Sequence, residues 1–169
     1  VGLIPRFYDV QEGEVLVDGV NVKDYDRRTL RRKIGYVPQK ALLFKGTIME
    51  NIRFGDDSAS DERVKEAAAI AQSTDFIEDK PDGFDSSISQ GGSNVSGGQR
   101  QRLAIARAIV RKPGIYGFDD SFSALDFKTD AKLRKALKEE TGGTTQFLVA
   151  QRISTIMNAD EIIVLDHGK

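Results

Sequence analysis

Two stretches of this 169-residue chain carry residues whose types and spacing suit phosphate chemistry. The first is Val95-Ser96-Gly97-Gly98-Gln99-Arg100-Gln101-Arg102, which opens a long amphipathic stretch with Leu103, Ala106, Ile109 and Val110 on its apolar side. Ser96 with Gln99 three residues later makes a capping box, in which each side chain satisfies a backbone donor of the other. A capping box needs no glycine, however, and glycine is up to ~1 kcal/mol worse than alanine inside a helix. Bare backbone at a helix start suits a phosphate, because free N–H groups and the helix dipole both favour an anion. On these residues alone, the cap reading and the phosphate reading both stand.

The second stretch is Ile115-Tyr116-Gly117-Phe118-Asp119-Asp120, a β-prone run ending in two carboxylates. Acidic residues often do no more than close a strand at the surface. At the carboxyl end of a strand in a parallel sheet they have another use, since magnesium takes a carboxylate or two plus water and phosphate oxygens. Asp119 is then a metal ligand, and Asp120 orients or deprotonates an attacking water. Gln39, the run Ser123-Ala124-Leu125-Asp126 and Gln151 gain meaning only beside these two stretches. Taken singly, each is a polar loop residue or a helix start. The one histidine, His167, stands in Asp166-His167-Gly168 and reads as a solvated turn residue with no assigned role.

The elements that must position these residues follow from periodicity. Residues 14–22 alternate around Asp18-Gly19, a turn dipeptide suited to positive φ, and predict a hairpin. A charged helix over 26–33 follows, then a buried strand over 34–37 that ends at Pro38 and delivers Gln39. Helical patterns cover 47–53 and 60–72, a Pro81-Asp82-Gly83 turn follows, and the long helix starts at Gly97. Beyond it lie a strand over 115–118, a helix over 128–140, a strand over 146–150, a helix over 153–158 and a strand over 161–165. Strands alternating with helices predict crossover connections and a parallel sheet, with ligands beyond the strands' carboxyl ends. Residues 3–8 begin in mid-pattern, like the end of a helix.

Bulk properties narrow the partners. Twenty-five basic and 26 acidic residues nearly cancel, so no broad field points to nucleic acid, and any anion site must be local. The absence of cysteine excludes disulfides and thiolate metal sites and is compatible with a reducing compartment. Charges interrupt every apolar stretch well short of the ~20 residues needed to span a bilayer. If a membrane is involved, another segment spans it.

Read in order, Gln39, Ser96 to Gln99, Asp119 with Asp120, Ser123 to Asp126, and Gln151 resemble the Q-loop, signature, Walker B, D-loop and switch of ABC ATPases. The text around Gly19, Ile34, Phe44 and Arg107 is similar to the exporter branch of that family. The resemblance covers essentially the whole chain. It implies an α/β fold: a RecA-like P-loop NTPase core of mostly parallel sheet and flanking helices, with an inserted helical subdomain. The core would comprise residues 1–43 and 113–169, and the helical subdomain carrying the signature would comprise 44–112. It also implies ATP and Mg2+ as ligands and head-to-tail pairing with a second nucleotide-binding domain. Ser96, Gly97, Gly98 and Gln99 would touch the γ-phosphate held by that partner, and Asp126 would face it from the D-loop. Gln39 would approach the magnesium and the attacking water. The segment from Phe44 to Asn51 (44–51) would lie by the groove that receives the transmembrane domains, placing the chain at the cytoplasmic face of the cell membrane.

Four departures from the family pattern matter. No G-x-x-x-x-G-K-S/T loop occurs in the 169 residues, and the one Gly-Lys pair, Gly168-Lys169, lacks its other members, so the first strand and P-loop are expected to be absent and ATP binding weak. The aromatic residue that stacks on adenine in the family is missing with them. Asp120 stands where glutamate is usual and is one methylene shorter. Gln151 stands where histidine is usual, and an amide cannot carry a proton as imidazole does. Both changes resemble the degenerate half of heterodimeric exporters, which would lend its signature to a competent partner. Gly117, finally, replaces a large apolar residue, an expected loss of ~2 to 5 kcal/mol by analogy with large-to-small core changes. Two rival readings are a nucleotide-gated interaction module outside transport and a homodimeric exporter that tolerates aspartate and glutamine.

Overall fold

The computed structural model describes residues 1–165. His167 and Gly168-Lys169 lie outside the described residues. Residues 2–6 form successive turns rather than a helix, with Ile4 donating to the Val1 carbonyl and Arg6 to that of Leu3.

Strands β1 (Leu16–Val17) and β2 (Val20–Asn21) make the expected hairpin. Its two-residue turn has φ of 51° at Asp18 and 77° at Gly19, the pair of positive angles that a type I′ turn requires. Helix α1 (Arg27–Arg32) starts at Asp26, whose side chain caps the Thr29 amide, and only its Leu30 is buried. Leu30 joins Val17, Val22 and Ile34 in a small cluster beneath the hairpin.

Strand β3 (Ile34–Val37) runs parallel to β6 (Ile115–Asp119), which runs parallel to β7 (Thr145–Val149), in the order β3-β6-β7. Parallel neighbours need crossovers. Residues 44–112 supply one and α6 (Phe127–Glu140) the other. The first crossover contains α2 (Ile48–Arg53), α3 (Asp61–Ile70), α4 (Thr74–Glu78) and α5 (Gly97–Ile109). It also holds the short ribbon β4 (Gly46–Thr47) with β5 (Ser87–Ile88), which periodicity over two residues could not disclose, as it could not disclose α4. One apolar cluster extends from Val37 through Ile48, Val64, Leu103 and Ile109 to Phe118 and Leu133, so helices and sheet share a core.

The strand expected over 161–165 is not formed. After α7 (Ile153–Ile156) the chain passes through 161–165 without ladder bonds, leaving Ile163 76% exposed. An apolar run becomes a strand only where a neighbour receives its backbone groups. Among the described residues β7 pairs with β6 alone, and no strand lies against 161–165.

Candidate functional site

Because β3, β6 and β7 are parallel and in register, their carboxyl ends share one edge. Gln39, Asp119 with Asp120, and Gln151 follow there. Asp120 has φ of 46°, a left-handed angle that aspartate tolerates better than most residues, and its amide donates to the Val149 carbonyl at 3.0 Å. This turns its carboxylate between two amides. Gln39 Nε2 and Gln151 Nε2 both donate to Asp120 Oδ2, at 3.2 and 2.9 Å. Asp119 Oδ2 accepts from the Tyr36 hydroxyl at 2.8 Å. Burial first, and that bond second, push the Tyr36 phenol up to about 12, so it remains a donor at neutral pH. A cleft of about 160 Å3 opens beside Asp120, Ser123, Gln151 and Arg152.

Loop 121–126 is tied to the same edge. Ser121 Oγ donates to the Val37 carbonyl at 2.9 Å, and Ser123 Oγ to that of Asp120 at 2.9 Å. Asp126 caps α6 by accepting from the Thr129 amide at 2.9 Å, and bonds to Thr129 hold its carboxyl below the usual carboxylate range.

At the start of α5 both sequence readings have a counterpart. The capping box is present: Ser96 Oγ accepts from the Gln99 amide at 3.2 Å, and Gln99 Oε1 from the Ser96 amide at 3.0 Å. It leaves the Gly97 and Gly98 amides without acceptors among the described residues, as a helix N-terminus does. The two glycines differ in their surroundings. A Cβ at Gly97 would meet nothing nearer than Arg100 Nη2 at 3.9 Å, whereas one at Gly98 would sit 3.2 Å from the Ala124 carbonyl oxygen. Gly98 thus permits close packing on loop 121–126, and Gly97 presents bare backbone to open space. Gln101 Nε2, donating to the Pro38 carbonyl at 3.3 Å, joins α5 to the end of β3.

The structure therefore brings Gln39, Asp120 and Gln151 into contact, with Asp119 adjacent. It groups Ser96 to Gln99 with the loop leading to Asp126, and no hydrogen bond among the described residues joins that patch to Asp119 or Asp120. Residues 44–51 are held by hydrogen bonds of their own. Asn51 Nδ2 donates to the Phe44 carbonyl at 2.9 Å and the Thr47 carbonyl at 3.0 Å. Arg107 in turn donates to the Asn51 and Leu42 carbonyls at 2.8 and 2.9 Å and lies under the Phe44 ring. Burial lowers the Arg107 guanidinium to about 10, still charged at pH 7.

Tyr36 and Arg107 went unrecognised as organising residues in the sequence, although Tyr36 occupies the alternate position of β3 that faces Asp119. Gly117 needs a correction. Tyr36 is its partner in the β3–β6 register, and a Cβ at Gly117 would lie 3.3 Å from Tyr36 Cδ2. The volume expected to be lost is filled by the tyrosine ring.

The donor set fits magnesium in one respect. No group of three or more His, Cys, Asp or Glu residues stands together among the described residues, so a protein-only cage is not built. Asp119, whose Oδ2 is held by a neutral hydroxyl, suits an ion completed by phosphate and water oxygens.

A parallel sheet with carboxylates and amides along its carboxyl edge, beside a helix with bare amides at its start, is an α/β arrangement whose chemistry suits a phosphate group. The sequence profile described as ABC transporter matches residues 1–123, and the chain belongs to the ABC transporter family. It is 48% identical over 172 residues to an uncharacterized ABC transporter ATP-binding protein of Mycobacterium tuberculosis, covering all of this chain and 29% of the relative. It is 43% identical to the ATP-dependent lipid A-core flippase of Desulfotalea psychrophila, over 99% of this chain and 29% of that protein. The structure of a bacterial Atm1-family ABC exporter with ATP bound superposes with a TM-score of 0.96 at 41% identity, over 99% of this chain and 30% of that one. The fold is thus the RecA-like ABC domain of exporter-type proteins, and the chain spans about 29% of the length of these curated relatives.

Proposed function

We propose that this chain belongs to the ATP-driven motor domain of an ABC exporter and works as the weakly hydrolysing half of a heterodimer. The observation that carries this reading is the open backbone at Gly97 beside an intact capping box. The Gly97 and Gly98 amides, with Ser96 and Gln99 fixing the helix start, hold the γ-phosphate of ATP bound to a second nucleotide-binding domain. Asp126 faces that partner. Residues 1–43 with 113–169 act as the core and 44–112 as the helical lobe, whose Phe44 to Asn51 segment meets the transmembrane domains at the cytoplasmic face of the membrane.

Asp119 and Gln39 hold the Mg2+ ion, which when bound neutralises phosphate charge. Asp120, one methylene short, orients water poorly. Its carboxylate already accepts from Gln39 and Gln151, and the Gln151 amide takes up no proton. Chemistry at this half is therefore slow, while its signature serves the other half.

The test is Gly97→Leu in the full-length transporter, because that side chain enters open space and spares the packing on Ala124. ATP-dependent pairing with the partner domain should fall at least about tenfold, since each ~1.4 kcal/mol is a factor of ten. Undiminished pairing refutes the reading. The 169 residues alone should bind Mg-ATP more weakly than micromolar in isothermal titration, and micromolar affinity would contradict that part of it.

A further inference from the structure

Tyr36 reaches Asp119 along a path that its neighbour in the sheet leaves open. Side chains two residues apart on a strand share a face, so Gly117 and Asp119 lie on the same side of β6, about 6.6 Å apart along it. Tyr36 stands opposite Gly117 in the β3–β6 register, not opposite Asp119. Its ring passes the glycine toward the next residue on that face, and the Tyr36 hydroxyl donates to Asp119 Oδ2 at 2.8 Å. A Cβ at Gly117 would already come within 3.3 Å of Tyr36 Cδ2, so a longer side chain there would take the ring's place. The Phe7 ring meets Tyr36 edge-on, with 5.2 Å between centroids and 81° between planes. The hydroxyl is thus fixed on one carboxylate oxygen, and Asp119 Oδ1 accepts no hydrogen bond among the described residues.

A carboxylate with one oxygen occupied offers an ion a single donor. Mg2+ is small and demands near-octahedral geometry, which the narrow bite of a two-oxygen carboxylate does not give, whereas the larger Ca2+ readily takes both oxygens of one carboxylate. To chelate through Oδ1 and Oδ2 together, an ion must displace the Tyr36 hydroxyl. That hydroxyl belongs to a half-buried residue and has no other acceptor among the described residues, so displacing it leaves a polar group unpaired. Asp120 does not relax this limit, since its Oδ2 accepts from both Gln39 and Gln151.

We propose that Tyr36 is a positioning residue that sets the ion preference of this site: by holding Asp119 Oδ2 it leaves Oδ1 alone for the metal and favours Mg2+ and Mn2+ over Ca2+. The proposal rests on the reading above in which Asp119 holds the metal. Gly117 is its second component, because the missing side chain is what lets the phenol lie along β6. A residue that costs the strand its own packing at position 117 thereby serves the carboxylate two positions on.

The full-length transporter is loaded with Mn2+ and a non-hydrolysable ATP analogue, and electron paramagnetic resonance follows the Mn2+ released as Ca2+ or Mg2+ displaces it. The unaltered partner domain supplies an internal reference. Tyr36→Phe keeps the ring and its contacts with Phe7 and Gly117, so the fold should persist. At this half Ca2+ should gain on Mg2+ as a competitor by at least about fivefold, the worth of roughly one hydrogen bond. Gly117→Leu, which keeps the hydroxyl but displaces the ring, should shift the preference in the same direction. A merely structural role for Tyr36 would weaken all three ions alike. An unchanged Ca2+ to Mg2+ preference in Tyr36→Phe, or an equal loss of every ion, overturns the proposal. Asp119→Asn should remove Mn2+ from this half. If it does so while Tyr36→Phe leaves the preference unchanged, the Tyr36 proposal falls alone. If Asp119→Asn leaves Mn2+ bound, the assignment of the metal to Asp119 falls and the Tyr36 proposal with it.

Discussion

The β7 end of the molecule is richer in apolar residues than the helical block, yet it leaves more of them uncovered. In the block, Ile48, Ile52, Val64, Leu103, Ile105 and Ile109 are fully buried. At the other end Phe147 and Val149 of β7 are 41% and 43% exposed, and Ile162 to Leu165 lie open. A helix satisfies its own backbone and needs neighbours only for its side chains. A strand needs a neighbour for both, so its apolar residues remain uncovered wherever pairing stops.

The largest expected effect tests this contrast directly. Leu103→Ala should cost about 2 to 5 kcal/mol, as a buried leucine leaves a cavity, while Ile163→Ser should stay within about 0.5 kcal/mol. Urea midpoints at constant m measure both, and similar costs at the two sites would break the comparison. A sharper test lies where block and sheet meet the site. Gly117→Leu should destabilise by about 1 to 3 kcal/mol because the Tyr36 ring occupies the space, and part of that cost should vanish in a Tyr36→Ala background. Additive costs in the double-mutant cycle would show that the two residues do not compensate each other.

Smaller effects separate the two glycines that open α5. Gly97→Ala should be neutral or stabilising by up to ~1 kcal/mol in thermal unfolding, from helix propensity alone. Gly98→Ala should forfeit that gain, because its Cβ meets the Ala124 carbonyl. Equal melting temperatures would remove the distinction. The smallest effect is alkaline. Tyr36 is raised from 10.0 to about 12, so its contribution is complete below pH 10 and is lost as pH rises through about 12. Tyr116, raised to about 12 by burial, acts in the same direction. Tyr36→Phe should therefore flatten part of the stability loss between pH 10 and 12, and an unchanged profile would assign that loss elsewhere.

Much of this was legible beforehand because the signals are local. The hairpin followed from Asp18-Gly19, α5 from Ser96 and Gln99, and the parallel sheet from the alternation of strand and helix patterns. The strand expected over 161–165 failed because its apolar run says nothing about who pairs with it. Gly117 read as a loss of packing because the ring beside it, Tyr36, is distant in sequence and adjacent only across β3 and β6. The Asp120 contacts with Gln39 and Gln151 span 81 and 31 residues and depended likewise on strand register.

Residue order alone determined the caps, the turn, the helix periods and the ordered set of candidate site residues, since these depend on chemistry within a few positions of the chain. Only the tertiary structure decided which strands found partners, that Tyr36 fills the space above Gly117, and that Gly97 faces open space while Gly98 faces a carbonyl. Those outcomes depend on what arrives from elsewhere in the chain to occupy a given volume, and spacing along a sequence does not encode that volume.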